Sequence, residues 1–182
     1  MGTKKLAAAC VFLFFSALLF AEEENYYAAM QNLREENAVL GFVRAEIEAS
    51  GGSLSSQDFS DFAGGHSFSH ILQTTVSGTR DDTLIIAAPA VSGGSGFNAA
   101  LALSLWKKAR ANAPPVTLIF LFLGGDGESV FPAARDTGFP AQEYLGTRLF
   151  LESFFSEHPV SVLYLDFTGP PAKILCETGI RG

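Results

Sequence analysis

Two stretches of the chain, residues 83–88 and 116–123, are apolar at almost every position. A run without alternation is typical of a strand buried on both faces, as in a parallel sheet covered by helices. A glycine-rich turn at 92–96 and an alanine- and leucine-rich segment reaching about Ala111 separate the two runs. This order predicts a strand–helix–strand unit with a right-handed crossover.

A helical period precedes this unit, in residues 22–50. Apolar side chains recur there at spacings of three, four or seven, which gives one stripe along a helix. They are Met30, Leu33, Leu40, Val43 and Ile47. Gly41 is a candidate break within the helix, and Gly51 and Gly52 form a natural stop. The charged residues on the opposite face are interpreted as facing solvent.

Two segments connect the helical part to the apolar runs. Residues 53–65 are polar and rich in turn formers, which predicts a loop. Residues 67–76 alternate between apolar and polar side chains, which predicts a half-buried strand. A turn at 77–82 joins this strand to the run at 83–88, so the two are expected to form an antiparallel hairpin at one side of the sheet.

The remaining residues continue the alternation of helices and strands. A long loop is predicted over 124–142, a helix over 147–156 and a buried strand over 160–166. A turn then leads to a last short strand over 172–176. Together these elements predict the α/β class, as an αβα sandwich around a mixed, mainly parallel central sheet.

Composition adds a targeting signal. The 182-residue chain is 48% hydrophobic, enough for one domain with a sizeable core, and its net charge is −7. Lys4 and Lys5 precede an uncharged run that ends before three glutamates, which is the pattern of a secretory signal peptide cut after Ala21. The predicted organisation is a signal peptide (1–21), an N-terminal helical segment (22–52) and an α/β domain (53–182).

The targeting signal predicts the location and excludes some partners. The protein is expected to be periplasmic or secreted. A retained anchor is disfavoured because the apolar run is short for a span of about 20 residues. Lipidation at Cys10 is disfavoured because most of the apolar run follows the cysteine. Without residues 1–21, 10 basic and 19 acidic residues remain, a net charge of −9 that argues against nucleic acid or an anionic membrane surface as partner. The oligomeric state is left open.

Carboxylates follow the predicted buried strands. In open α/β sheets, ligands bind beyond the carboxyl ends of the strands. Asp126, Glu128 and Asp166 all lie at those ends. Carboxylates brought together there can hold a divalent cation, or share a proton so that one pKa rises. The alternative is that Asp126 and Glu128 are turn residues and that Asp166 caps a loop.

The glycine-rich turn offers a second candidate site. Ser92, Ser95 and Gly96 lie between a strand and a helix, where an anion could bind at the helix N-terminus. Ser95 could also be a nucleophile at a strand-to-helix elbow. The GxGxxG pattern is absent, however, and Phe97 replaces the last glycine of GxSxG. A role for a serine in turning the chain and capping the helix is the favoured interpretation.

Two histidines have the spacing of a metal pair. His66 and His70 would share a face if they lay on a helix. They flank a predicted strand start, where four residues span about 13 Å. Zinc holds its nitrogen ligands at about 2 Å, so this distance is too long for one metal ion. The pair is therefore interpreted as structural or partly exposed.

The order of these segments resembles the zinc aminopeptidases of the M28 peptidase family, from about His66 to Gly169. An Ala-His-x-Asp-Ser strand end of that family corresponds to residues 88–92 here, and its Gly-x-Asp-Asn-Ala-Ser-Gly turn corresponds to 95–101. The Gly-x-Glu-Glu, Gly-Ser-Arg-x-Phe and Asn-Leu-Asp-Met-x-Gly patterns correspond to 124–127, 146–150 and 164–169. The resemblance implies a zinc-exopeptidase-like fold, truncated because the family sheet continues further.

Most metal-binding positions that the resemblance implies are replaced. Pro89 stands at the first zinc-ligand histidine, and Phe97 stands at the bridging aspartate. The general-base and ligand glutamates correspond to Asp126 and Gly127, with Glu128 one place off. Only Asp166 matches a ligand, and the last histidine ligand of the family lies beyond the end of this sequence. Zinc is therefore the implied metal if any is bound, but no dinuclear zinc site is expected.

The sequence favours an exported M28 peptidase-like domain without catalytic activity, acting as a binding or structural module. Its glycine-rich crevice would hold a peptide or small ligand at Ser92, Ser95, Gly96 and Asn98. One alternative is an active hydrolase that uses Asp126, Glu128 and Asp166 around a metal, or Ser95 as nucleophile. Another alternative is a non-functional fragment of a longer peptidase-like protein.

Overall fold

A computed structural model describes residues 24–30, 32–61, 67–91, 96–126, 145–154 and 160–165. The helices in these ranges are α1 (Glu24–Met30), α2 (Glu36–Ala49), α3 (Phe97–Ala111) and α4 (Leu145–Ser153). The strands are β1 (Ser55–Asp61), β2 (Ser67–Val76), β3 (Thr83–Pro89), β4 (Thr117–Leu123) and β5 (Val160–Tyr164).

The five strands form one sheet in the order β1-β2-β4-β3-β5. β3 is parallel to both β4 and β5. β2 is antiparallel to both β1 and β4, so β2 alone runs against the other four strands. The two continuously apolar runs are thus adjacent parallel strands joined through α3, as their composition predicts.

Helices cover both faces of the sheet. On one face α1, α2 and α3 pack in a core that contains Phe120, Phe122 and Trp106. On the other face Phe150 of α4 packs on Ile85 and Leu121. Successive residues of β3 and β4 enter alternate cores, which explains why both strands are apolar throughout. The predicted αβα sandwich with a mixed, mainly parallel sheet is confirmed.

The predicted hairpin between 67–76 and 83–88 is wrong. β2 pairs with β4 instead, with Ile71 opposite Leu123, and β3 lies between β4 and β5. The apolar β3 is buried at six of its seven positions, which requires a strand neighbour on each side and helices above and below. β2 alternates between apolar and polar residues, so only one of its faces has to be buried, and it lies next to the polar edge strand β1.

Three local predictions also need correction. Residues 53–65, predicted as a loop, contain β1, because its polar side chains lie on a sheet edge where neither face needs to be apolar. The N-terminal helical segment breaks between Met30 and Glu36, and Gly41 lies inside α2. The strand predicted as buried over 160–166 spans Val160–Tyr164 and, within the described residues, pairs with β3 alone, and its Ser161 and Val162 are exposed.

Some predictions lie outside the described residues. They concern the signal peptide at 1–21, most of the loop at 124–142, and the short strand at 172–176. Among the helices that the structure describes, none has the length and apolar character needed to cross a bilayer.

Candidate functional site

The carboxyl ends of three parallel strands meet at one edge of the sheet, where the sequence predicts a ligand site. β3 ends at Pro89 and β4 at Leu123, and these two residues are opposite each other. β5 ends beside them, with Tyr164 opposite Ala87. Of the predicted site residues, the structure describes Gly96, Asn98 and Asp126; Ser92, Ser95, Glu128 and Asp166 lie outside the described residues.

The chain leaves β4 through a glycine turn that α2 holds in place. Gly125 has a φ of 75°, a left-handed conformation that glycine adopts without steric cost. Its N–H donates to Glu36 Oε2 at 2.7 Å. The N–H of Gly124 donates to the His70 carbonyl of β2 at 2.9 Å. Because Glu36 is the first residue of α2, this helix holds the Gly124–Gly125 peptide, one peptide before Asp126.

The Asp126 carboxylate caps α4. Its Oδ1 accepts a hydrogen bond from the Thr147 N–H at 3.0 Å, and its Oδ2 accepts one from the Thr147 hydroxyl at 2.5 Å. The Tyr164 hydroxyl donates to Oδ2 at 3.2 Å, and the Gly146 N–H donates as well. Gly146 and Thr147 lie in the first turn of α4, where backbone N–H groups have no partner within the helix. Asp126 supplies that partner from the end of β4.

Charge and close packing reinforce this cap. α4 has no acidic residue in its own first turn, so Asp126 supplies the negative charge that the positive end of the helix dipole favours. A Cβ atom at Gly146 would lie 2.3 Å from the Gly124 carbonyl oxygen and 3.0 Å from Asp126 Oδ1. Glycine is therefore required for the helix start to approach the turn.

Burial raises the pKa of the Asp126 carboxyl above its ordinary value, because removal from water disfavours the charged form. The hydrogen bonds from Thr147, Tyr164 and Gly146 act in the opposite direction and only reduce this rise. A raised pKa is also common among catalytic acids. The hydrogen bonds favour the role of helix cap over that of catalytic acid. Four donors already contact the two oxygens, so a metal or a substrate proton would have to displace one of them.

The start of α3 is packed rather than open. Gly96 is the N-cap and makes no side-chain cap bond; the serines predicted to cap this helix, Ser92 and Ser95, lie outside the described residues. A Cβ atom on Gly96 would lie 3.1 Å from Val39 Cγ2 and 3.2 Å from Met30 Cβ, so α1 and α2 pack closely on this helix start. Asn98 is 1% exposed. The two described residues of the glycine-rich crevice therefore lie within the packed helix start.

The residues that replace expected metal ligands have other contacts. Phe97 packs edge to face on Tyr27 of α1, with ring centroids 5.2 Å apart. Pro89 is the buried last residue of β3. Neither side chain has an atom that can ligate a metal.

The histidine that the structure describes is held by an aspartate. His70 Nδ1 lies 2.8 Å from Asp58 Oδ1, and the two residues are opposite each other on β2 and β1. The hydrogen bonds with His70 and then Ser56 lower the pKa of Asp58. His66 lies outside the described residues. Within the described part of the chain, no three His, Cys, Asp or Glu side chains converge where they could hold a metal ion.

Three residues of this site were not identified from the sequence. Glu36 is not singled out by the sequence, yet it accepts a bond from a backbone N–H 89 residues later. Tyr164 contacts Asp126 across 38 residues. No local pattern marks either contact. Thr147 did carry a signal, because it begins the predicted helix and the first N–H groups of a helix need acceptors from outside it.

Sequence comparison does not assign the chain to a family. No protein-family model matches it, and no curated protein sequence matches it significantly.

Solved structures share the fold. A zinc-dependent exopeptidase from Parabacteroides distasonis matches 80% of this chain with a TM-score of 0.57 and 15% sequence identity. A glutaminyl cyclase from Fimbriiglobus ruber matches 75% of it with a TM-score of 0.56 and 14% identity. A leucine aminopeptidase precursor from Bacteroides thetaiotaomicron matches 83% of it with a TM-score of 0.55 and 13% identity. The chain spans 59%, 55% and 61% of these three proteins, respectively.

Proposed function

We propose that the protein is an exported, M28 peptidase-like domain that has no catalytic activity and acts as a binding or structural module. One observation carries the proposal: Asp126, which stands where the resemblance implies the general base, accepts its hydrogen bonds from Thr147, Gly146 and Tyr164. A general base must reach the proton that it removes from a substrate. This carboxylate instead holds the first turn of α4.

The described residues do not fit the zinc site of the similar folds. A catalytic zinc ion needs three protein ligands of the His, Asp, Glu or Cys type and an open position. At this edge the described chain offers Asp126, while Pro89 and Phe97 occupy two of the implied ligand positions. The described residues therefore supply fewer ligands than a catalytic zinc ion needs.

The proposed ligand is a peptide or a small molecule at the carboxyl ends of β3, β4 and β5. The support for this location is the general preference of open α/β sheets for binding at that edge. Export is proposed from the basic start and apolar run of residues 1–21. The acidic net charge of −7 favours neither nucleic acid nor anionic membranes.

Metal content and folding test the proposal together. The protein is dialysed against zinc and then against buffer, and its zinc is measured by elemental analysis. Aminopeptidase and glutaminyl cyclase activities are assayed in parallel on chromogenic and fluorogenic substrates. We expect zinc far below one ion per chain, no turnover, and a thermal midpoint that neither zinc nor a chelator shifts.

Three results would count against this function. Stoichiometric zinc, together with turnover that a chelator abolishes and zinc restores, would show an active metallohydrolase. Turnover that resists chelation but disappears in Ser95→Ala would show a serine hydrolase. The absence of any cooperative thermal transition would favour the fragment alternative, because a packed domain of this size unfolds cooperatively.

A further inference from the structure

A small open cleft lies between α2 and β2, and its walls are regular secondary structure. On α2 the lining residues have the spacing i, i+3, i+4 and i+7, which places them on one face of the helix. On β2 the lining residues are two positions apart, so they also share a face. The described lining residues are Asn37, Leu40, Gly41 and Arg44 of α2 and His70 and Leu72 of β2. They are distinct from the residues described above at the carboxyl ends of β3, β4 and β5.

Glycine at position 41 keeps this cleft open. A Cβ atom on Gly41 would have no neighbour within 4 Å, so there is space above the helix that a side chain would fill. Glycine inside a helix is less stable than alanine, so helix stability does not account for its presence. Leu40 and Leu72 are buried and form an apolar floor. The cleft volume is about 170 Å³, below the roughly 300–1,000 Å³ of sites for drug-sized molecules, so a fitting ligand is small.

The polar groups of the cleft supply both donors and an acceptor. Among the described residues, neither the Arg44 guanidinium nor the Asn37 amide has a hydrogen-bond partner. His70 Nδ1 lies 2.8 Å from Asp58 Oδ1. Because an ionised carboxylate only accepts hydrogen bonds, the ring hydrogen is assigned to Nδ1, and in the neutral imidazole Nε2 is then an acceptor. The cleft thus combines a cation, an amide and an imidazole acceptor above an apolar floor.

We propose that this cleft binds a free apolar α-amino acid, of which leucine is representative. The carboxylate of the ligand pairs with the Arg44 guanidinium, whose planar fork of N–H donors matches two carboxylate oxygens. The ammonium of the ligand donates to His70 Nε2. The apolar side chain packs on Leu40 and Leu72, in the space above Gly41.

Charge favours a zwitterion over other small ligands that carry a carboxylate. The hydrogen bond with His70 contributes most to the lowered pKa of Asp58, and the positive charge of Arg44 contributes as well, so a cation and an anion act in the same region. An α-amino acid presents the same pair of opposite charges and adds no net charge. A phosphate or a dicarboxylate would bring two negative charges to a chain whose net charge is −7.

Calorimetric titration of the full chain tests the ligand chemistry. Leucine is the probe, and each of three relatives lacks one of its groups: leucinamide lacks the carboxylate, N-acetylleucine the ammonium, and glycine the apolar side chain. We expect leucine to bind, and each relative to bind at least about tenfold more weakly, because one of its three contacts is lost. The absence of leucine binding at millimolar concentrations would overturn the proposal. A relative that binds as tightly as leucine would also overturn it, since the cleft would then recognise a simpler carboxylate, an amine or the carboxyl end of a peptide.

Two variants of α2 test the location. Arg44→Met removes the guanidinium and should weaken leucine binding at least about tenfold, whereas Arg34→Met removes an exposed arginine outside the cleft and should leave it unchanged. Gly41→Leu should fill the cleft and abolish binding, whereas Ala38→Leu, at an exposed position of the same helix, should not. Circular dichroism and thermal melts check that each variant is folded. Leucine binding that a folded Arg44→Met or a folded Gly41→Leu retains in full would overturn the proposal.

Discussion

The two oxygens of Asp126 accept hydrogen bonds from a single residue, Thr147, through its backbone N–H at 3.0 Å and its hydroxyl at 2.5 Å. This contact joins the end of β4 to the first turn of α4, across 21 residues of chain. It converts a carboxylate at the expected catalytic edge into a helix cap, and it makes the stability of α4 depend on that carboxylate.

Removing the carboxylate should destabilise the fold. We expect Asp126→Ala to lower the free energy of unfolding by about 2–3 kcal/mol, because the N–H groups of α4 and the Tyr164 hydroxyl lose a charged acceptor. Asp81→Ala, at an exposed turn, is the control and should change it by less than about 0.5 kcal/mol. Urea titration followed by Trp106 fluorescence measures both variants. Equal stability of Asp126→Ala and the unmodified protein would contradict the capping role.

The same carboxylate should give a pH signature. Its folded pKa lies above the ordinary value of 3.8, so between these two values the folded state binds the proton more tightly than the unfolded state. The stability that this group contributes is therefore fully present below pH 3.8 and is lost as the pH rises through the folded pKa. The free energy of unfolding is measured from pH 3.5 upward for the unmodified protein and for Asp126→Asn. The unmodified protein should have its largest stability advantage over the variant at low pH.

The unmodified protein has to be compared with Asp126→Asn because Asp58 changes the free energy of unfolding with pH in the opposite direction. The bond with His70 lowers the Asp58 pKa, so its contribution is present above pH 3.8 and lost as the pH falls through the lower folded value. That contribution cancels in the comparison. A difference that stays constant with pH would show that Asp126 has an ordinary pKa.

The bond between Glu36 and Gly125 should also be measurable. Glu36→Ala removes the acceptor for the Gly125 N–H, and we expect a loss of about 1–2 kcal/mol, since this N–H is partly buried. Glu48→Ala near the other end of α2 is the matched control. It should be neutral or slightly stabilising, because an acidic residue near a helix C-terminus opposes the dipole. Chemical denaturation measures both, and equal losses would indicate a general charge effect.

Two glycine-to-alanine changes should have opposite signs. Gly146→Ala places a Cβ atom 2.3 Å from the Gly124 carbonyl oxygen, so we expect a loss of about 2 kcal/mol or more as the helix start moves away. Gly41→Ala adds a Cβ atom with no neighbour within 4 Å, on the exposed side of α2. Gly41→Ala should raise the free energy of unfolding by about 0.5–1 kcal/mol, because alanine has a higher helix propensity than glycine. Thermal melts rank the variants, and a stabilising Gly146→Ala would contradict the close approach.

The candidate site was only partly predictable. The sequence placed Asp126 at the carboxyl end of a buried strand, and the structure agrees. The sequence left two roles open for it, a turn residue or a metal or proton site. The contacts with Thr147, Gly146 and Tyr164 favour a structural role, and they depend on how α4 and β5 dock on the sheet. No spacing pattern within the sequence encodes that docking.

The sequence by itself determined the strand–helix–strand unit of β3, α3 and β4 and the layered α/β class. Continuous apolar runs and helical periods are local properties, and burial on both faces leaves few architectures that satisfy them. Tertiary structure alone decided that β2 lies beside β4, that β5 pairs with β3, and that Asp126 caps α4. These features depend on contacts between residues that are tens of positions apart in the sequence. Packing and hydrogen bonding in the assembled fold supply the free energy that stabilises such contacts.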